Sequence, residues 1–327
     1  MKRILICTHP LVYGGSQLSV HHWAKFIDRT RFEPIILASA RGGLSDKFES
    51  HYEVHYDADE YPNIDRWIDE LAPDLVHACP GGGVDHEYIE RAARRVPVTQ
   101  TMMCPRLPGN LEATTRVIVP SEYVLSMQQE LDKIVHIDHP FDTSDYAPKF
   151  DRAYFGLPEN KTLVLSLGNE RPRSDHFMKI ARRYRNADVH FVIRTPRRYL
   201  LAGFDSNITV INRFLSEDEK LSLFRIADIF LYPTFHEAYG IVFLEAMSQR
   251  TPIISYAESA MPEVVGKGGV LAPLDDRRRM TELLDLLVDS PQQRERLGNN
   301  GYALCTSRND PHRIARKYEA IFEEALS

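Results

Sequence analysis

Two acids eight positions apart, Glu237 and Glu245, frame the stretch of this chain with the clearest capacity for chemistry. Glu237 lies in the aperiodic run Tyr232-Pro233-Thr234-Phe235-His236-Glu237-Ala238-Tyr239-Gly240, and Glu245 in the apolar segment 241–249 that follows. A carboxylate can accept two hydrogen bonds from a vicinal diol, which suits a ribose or a sugar. The start of a helix opened by Gly240 suits a diphosphate, because its first N–H groups lack intrahelical partners and carry a partial positive charge. Both acids could face a crevice while Ile241, Leu244 and Met247 face a sheet. An exposed loop acid followed by a helix-surface acid would show the same spacing, so spacing alone leaves both readings open.

Three other loops carry candidate groups. Gly14 and Gly15 in Thr8-His9-Pro10-Leu11-Val12-Tyr13-Gly14-Gly15-Ser16-Gln17 precede a helical segment and read either as a tight turn or as an anion-binding backbone. The dinucleotide fingerprint is absent there. Arg171 and Arg173 in Gly168-Asn169-Glu170-Arg171-Pro172-Arg173-Ser174-Asp175 read either as solvated surface cations or as phosphate ligands. Arg194, just after a strand-like run, is placed in the same way, and Gly81-Gly82-Gly83 reads as a turn.

The elements that must position these loops are short apolar runs alternating with segments of helical period. Strands are expected at 3–7, 34–38, 75–78, 97–101 and 116–119, then at 162–167, 189–193, 208–211, 229–232, 252–255 and 270–272. Helices are expected at 17–27, 65–71, 86–95, 121–130, 175–185, 217–226, 241–249 and 311–325. The alternation implies βαβ units and buried parallel sheets, an α/β fold. It occurs twice, on either side of the aperiodic, proline- and aspartate-rich stretch 138–148, which reads as a linker. The expected organisation is two doubly wound Rossmann-like domains facing a cleft, residues 1–143 and 144–308. A final helical segment, 309–327, would pack back toward the first domain through Ile314, Tyr318, Ile321 and Phe322.

Composition excludes several classes. With 327 residues the chain is long enough for two cores. Its net charge of −6 argues against nucleic acid as partner. Cys7, Cys79, Cys104 and Cys305 lack paired spacing, which fits a reducing cytoplasm and neither a disulfide framework nor a zinc site. No stretch reads as a membrane span. The clusters Arg91/Arg94/Arg95 and Arg182/Arg183/Arg185 fit solvated helix faces or peripheral contact with anionic lipid at the inner face of a membrane.

The segment Glu237-Ala-Tyr-Gly-Ile-Val-Phe-Leu-Glu245-Ala-Met resembles the E-x7-E motif of GT-B-fold retaining glycosyltransferases, specifically family GT4. Further segments are similar to family motifs and occur in family order. Gly14-Gly15-Ser16-Gln17 resembles G-G-A-E, Asp74-Leu75-Val76-His77-Ala78 resembles D-V-V-H-A, and Asp142-Thr143 with Tyr146 and Pro148 resembles D-T-x-x-F-x-P. Arg250-Thr251-Pro252-Ile253-Ile254 looks like G-T-P-V-I, Met261-Pro262-Glu263-Val264-Val265 like P-E-V-V, and Gly268-Gly269-Val270-Leu271-Ala272-Pro273 like G-x-L-V-x-P.

The resemblance implies transfer of a sugar from a UDP- or GDP-type donor to a hydroxyl acceptor, with retention and without a metal or other cofactor. It implies that Glu245 holds the nucleotide ribose and that Glu237, as the catalytic candidate, holds sugar hydroxyls near the anomeric carbon. Ala238, Tyr239 and Gly240 would offer backbone N–H groups to sugar or phosphate, and Gly15 would approach the diphosphate. The acceptor could be a glycan, a lipid-linked molecule or a small molecule. Three departures stand out. Asn169 and Ser174 occupy the places of an Arg and a Lys that grip the diphosphate, so Arg171 and Arg173 would substitute. Met103 occupies the place of a histidine, and Arg194 and Arg250 stand where glycines are common. Two other functions fit the same residues: a non-catalytic binder of sugar nucleotides or glycans, and a GT-B-fold nucleotide-sugar epimerase.

Overall fold

A computed structural model of the chain describes residues 1–80, 85–104, 109–128, 132–144, 146–167, 174–184, 188–195 and 206–327. They form two compact units, Met1–Asp142 joined by Asn309–Ser327, and Thr143–Arg308.

The first unit is built on seven parallel strands: β1 (Lys2–Thr8), β2 (Phe32–Ala38), β3 (Glu53–Tyr56), β4 (Leu75–Ala78), β5 (Val98–Thr101), β6 (Arg116–Val119) and β7 (Ile134–His136). Their order is β3-β2-β1-β4-β5-β6-β7. Helices α1 (Gly15–Ala24), α2 (Ser45–Glu49), α3 (Ile64–Leu71), α4 (Glu87–Ala93) and α5 (Glu122–Ser126) connect them. Strand side chains alternate between faces, and both faces of β1 are apolar. Ile4 and Ile6 join one core with Trp23 and Ile36, while Leu5 and Cys7 join another with Ile35, Ile68 and Ile89. This is why the strand reads as a continuous apolar run.

The second unit repeats the plan with six parallel strands: β8 (Thr162–Leu167), β9 (Val189–Arg194), β10 (Ile208–Ile211), β11 (Ile229–Tyr232), β12 (Ile253–Tyr256) and β13 (Gly269–Ala272). The order β10-β9-β8-β11-β12-β13 reverses direction between β8 and β11. Such a switch point opens a crevice at the carboxyl ends of the two strands. Helices α6 (Ser174–Ala181), α7 (Glu217–Ile226), α8 (Ile241–Ser248), α9 (Met261–Val265), α10 (Arg277–Asp289) and α11 (Pro291–Arg308) complete the unit. Helix α7 begins with a full capping box, Ser216 and Glu219 each bonding the other's backbone N–H. Helix α11 crosses close over the turn after α8. A Cβ on Gly298 would lie 2.0 Å from the Arg250 carbonyl oxygen, so only glycine fits.

The last helix, α12 (Pro311–Leu326), belongs to the first unit. Tyr318 stacks on Trp23 at 4.4 Å between ring centroids, and Phe322 and Ile314 are fully buried in the same core. Several expectations change. Strands β3 and β7 are absent from the sequence reading, because β3 is partly exposed and mixed in polarity and β7 is three residues long. The stretch read as a linker is pinned over its first half. His139, Phe141 and Asp142 are buried, and they bond Ser19, the backbone of Asn309, and Lys25 respectively. Helix α8 is buried from Phe243 through Met247, so it does not present one apolar and one open face.

Replacing Phe322 with Ala removes a fully buried ring that meets Trp23, Phe32 and His77. The expected cost to the first unit is about 3–5 kcal/mol, measured by urea unfolding. The transition of the second unit, followed by a probe placed in it, should not move.

Candidate functional site

The carboxyl end of β11 lies at the switch point, and the loop that leaves it carries Glu237. Several bonds hold this loop. Ser255 Oγ donates to the Tyr232 carbonyl at 2.7 Å, the Ala260 N–H donates to the Glu237 carbonyl at 3.3 Å, and His236 Nδ1 meets Ser259 Oγ at 3.0 Å. Buried Thr234 donates its hydroxyl to Glu237 Oε1 at 3.4 Å. The Glu237 side chain is therefore half-buried and oriented, not a solvated loop acid. Ala238 and Tyr239 are buried, and the Arg308 guanidinium sits 6.0 Å from the Tyr239 ring centroid.

Gly240 then turns the chain into α8 with φ +86° and ψ 71°. This left-handed conformation costs an L-residue roughly 1–2 kcal/mol. Space forbids a side chain as well, since a Cβ would lie 2.7 Å from the Phe243 ring. No side chain caps the helix start. The Phe243 N–H turns back to the Gly240 carbonyl at 2.9 Å, and the positive end of the helix dipole at Ile241 and Val242 favours an anion.

Glu245 lies further along α8 and is 6% exposed. Its Oε1 is 2.6 Å from Lys220 Nζ on α7, and the same ammonium is 2.8 Å from Glu217 Oε2. Burial by itself would lower the Lys220 pKa, but the charges of Glu245 and Glu217 outweigh it and the net shift is upward. Burial pushes the Glu245 carboxyl up from the ordinary carboxylate range, Lys220 draws it back, and Glu217 adds to the rise. Sequence reading placed this acid on an open helix face; the structure makes it a buried member of a three-charge chain. Lys220 and Glu217 went unnoticed because they lie on α7, whose 3.6-residue period looks like an ordinary capped surface helix.

Arg194 ends β9, two strands from β11. Its guanidinium lies 5.3 Å from the Phe214 ring centroid, and its Nε donates to the Arg213 carbonyl at 3.3 Å. Phe214 is 85% exposed, and it stands after the carboxyl end of β10. Arg250 shows why glycine suits its position: φ is +61°. Its guanidinium lies 3.8 Å from the Tyr302 ring centroid and donates to Asn299 Oδ1 at 2.8 Å, contacts that offset the strain.

Arg171, Arg173 and Asn169 lie outside the described residues, as do Gly81-Gly82-Gly83. Ser174 is the first residue of α6. Gly14 and Gly15 stand at the start of α1 in the first unit, where Gly14 is extended and its neighbour Gln17 bonds the Pro10 carbonyl. Met103 is half-buried beyond β5. Of the basic clusters, Arg91 and Arg95 pair with Asp65 and Asp69 on α3. One D-x-D spacing passed over in the sequence is Asp57-Ala58-Asp59. The Asp57 carboxylate is already occupied by Ala58 and Asn63 backbone, the Asn63 amide and the Trp67 indole, so it organises its own loop. Among the described residues, no three His, Cys, Asp or Glu side chains gather as a metal site, and no helix is long and apolar enough to cross a membrane.

Comparison with known proteins bears on the same region. Residues 198–304 match the family model described as Glycosyl transferases group 1. The MMP alpha-(1->4)-mannosyltransferase of Mycolicibacterium hassiacum is 32% identical over 136 residues, 40% of this chain and 33% of that protein. A D-inositol 3-phosphate glycosyltransferase of Corynebacterium efficiens is 28% identical over 111 residues, 32% of this chain and 26% of that protein. The chain thus matches a third or less of the length of these relatives. In fold the likeness extends over the whole chain. A Rickettsia africae glycosyltransferase superposes with a TM-score of 0.83 at 14% identity, covering 100% of this chain and 99% of that one. Anabaena HepE in complex with UDP and glucose gives 0.80 at 15% identity, covering 99% and 100%.

The architecture is GT-B. The match to the group 1 glycosyltransferases lies within its second unit.

Replacing Gly240 with Ala should both strain the turn and crowd Phe243. The expected result is a fall of about 2–8 °C in the unfolding temperature of the second unit, read by differential scanning calorimetry.

Proposed function

We propose that the chain is a retaining glycosyltransferase that moves a sugar from a UDP- or GDP-type donor to a hydroxyl acceptor without a metal. The observation that carries this is the Glu237–Gly240 turn at the β8/β11 switch point, leading into an uncapped helix start with Glu245 behind it. In this reading the α8 N-terminus and the backbone of 238–240 face the diphosphate and sugar, and stabilise the negative charge that grows on the leaving phosphate. Glu237, oriented by Thr234, receives hydroxyls of the donor sugar. Glu245 receives the ribose diol. Arg194 adds positive charge at the end of β9, and Arg171 and Arg173 are proposed from the sequence alone as further phosphate ligands.

The complexes of Anabaena HepE with UDP and UDP-glucose support a uridine nucleotide as one donor class. The mannosyltransferase relative supports a hexose as the transferred group. The relatives' names point to several acceptors, including D-inositol 3-phosphate, so the acceptor is proposed only as a hydroxyl-bearing molecule.

Nucleotide sugars screened by thermal shift should show stabilisation by one UDP- or GDP-hexose, with nucleotide release that persists in EDTA. The new linkage should keep the donor's anomeric configuration by proton NMR. Loss of turnover in EDTA, or an inverted product, would overturn the metal-free or the retaining part of the proposal. Glu245→Ala should weaken nucleoside diphosphate binding by about 10–100-fold, the value of losing hydrogen bonds to a charged group. Glu237→Ala should spare that affinity and lower turnover by about 100-fold or more. If both variants retain full activity, the site lies elsewhere.

A further inference from the structure

We infer that Lys220 is a positioning residue for the nucleotide site: clamped between Glu217 and Glu245, it fixes the Glu245 carboxylate as an oriented anion that can receive the ribose diol. This rests on the donor-site reading above. The argument starts from burial. Glu245 is almost wholly removed from water, and a buried carboxyl without a cation goes neutral. A neutral carboxyl has lost acceptor capacity and presents an O–H of its own, so it matches a vicinal diol poorly. Lys220 bonds Oε1 at 2.6 Å and so holds one oxygen while fixing the plane of the other. A single buried ion pair would leave the ammonium free to swing with its long stem. Here Glu217, one turn back on α7, anchors it at 2.8 Å. The capping box at Ser216 and Glu219 fixes the start of that helix, so the anchor is rigid.

The charged groups that act on Glu245 are Lys220 and Glu217, both on α7. Helix α11 packs on α8 itself and brings Cys305, whose thiol meets the Leu244 carbonyl, and Arg308, which lies over Tyr239. Lys220 therefore lowers the Glu245 pKa and Glu217 raises it. The two neighbours must have opposite effects on the pH at which ribose recognition fails. In Lys220→Met, burial acts unopposed and the carboxyl protonates at higher pH. In Glu217→Gln, one like charge is gone and it protonates at lower pH. Nucleotide affinity is present above that midpoint and is lost as pH falls through it.

The test is titration of the full chain with UDP and with GDP by calorimetry from about pH 5 to pH 9, on the wild type and on Lys220→Met, Lys220→Arg, Glu217→Gln and Glu245→Ala. Lys220→Met should shift the affinity midpoint upward by about one pH unit or more, a tenfold change in proton affinity. Glu217→Gln should shift it downward, and Lys220→Arg should restore the wild-type profile. Should Lys220→Met fail to fold, the downward shift in Glu217→Gln still decides the matter, because a merely structural lysine predicts none. Unshifted midpoints in variants that still bind nucleotide overturn the inference. If Glu245→Ala binds UDP and GDP as well as the wild type does, the donor-site reading itself has failed, whatever the other variants show.

Discussion

The second unit depends on a turn with no room for a side chain. Between the end of β11 and the start of α8 the backbone must reverse within a few residues while the first turn of the helix stays packed on the sheet. Gly240 meets this with a left-handed φ and with its α-carbon against the Phe243 ring. Phe243 in turn packs edge-on against Phe230 and Tyr232, two side chains of β11 itself. Strand, turn and helix are thus one packed body. The same geometry leaves the helix start uncapped and holds Glu237 beside Thr234. Packing that seats the helix also aims its dipole at the crevice.

A second constraint is the handling of buried charge. Glu245 sits where an isolated carboxylate would not stay ionised. The fold supplies Lys220 from α7, and Glu217 from the same helix balances it. Removing one member of such a set is costlier than never having built it, because it strands the others. The chain Glu217–Lys220–Glu245 therefore ties α7 to α8 through charge as well as through apolar contact. In the first unit the corresponding stitch is aromatic. Trp23 from α1, His77 from β4 and Tyr318 and Phe322 from α12 share one core, which places the last nineteen residues of the chain with the first unit.

Much of this plan was legible in the sequence. Central parallel strands are buried on both faces, so β1, β2, β8, β9 and β11 appear as unbroken apolar runs. Edge strands lack that signature: β3 alternates charge and bulk, and β7 is too short to show a period. The stretch after β7 looked like a linker because it is polar and aperiodic. Its polar groups are instead satisfied one by one, His139 by Ser19 and Asp142 by Lys25, contacts 120 and 117 residues apart along the chain.

By itself the sequence determined the α/β class and the doubling of the fold, and it singled out the loop proposed to carry the chemistry, because strand burial, helical period and the Glu237–Glu245 motif are local properties. Tertiary structure alone decided the state of those two acids. Glu237 became an oriented, half-buried acceptor beside Thr234, and Glu245 became a buried carboxyl facing a lysine twenty-five positions earlier. No local pattern encodes such a meeting. It exists only once α7 and α8 pack side by side, and the low dielectric of that contact then sets whether the carboxylate keeps its charge.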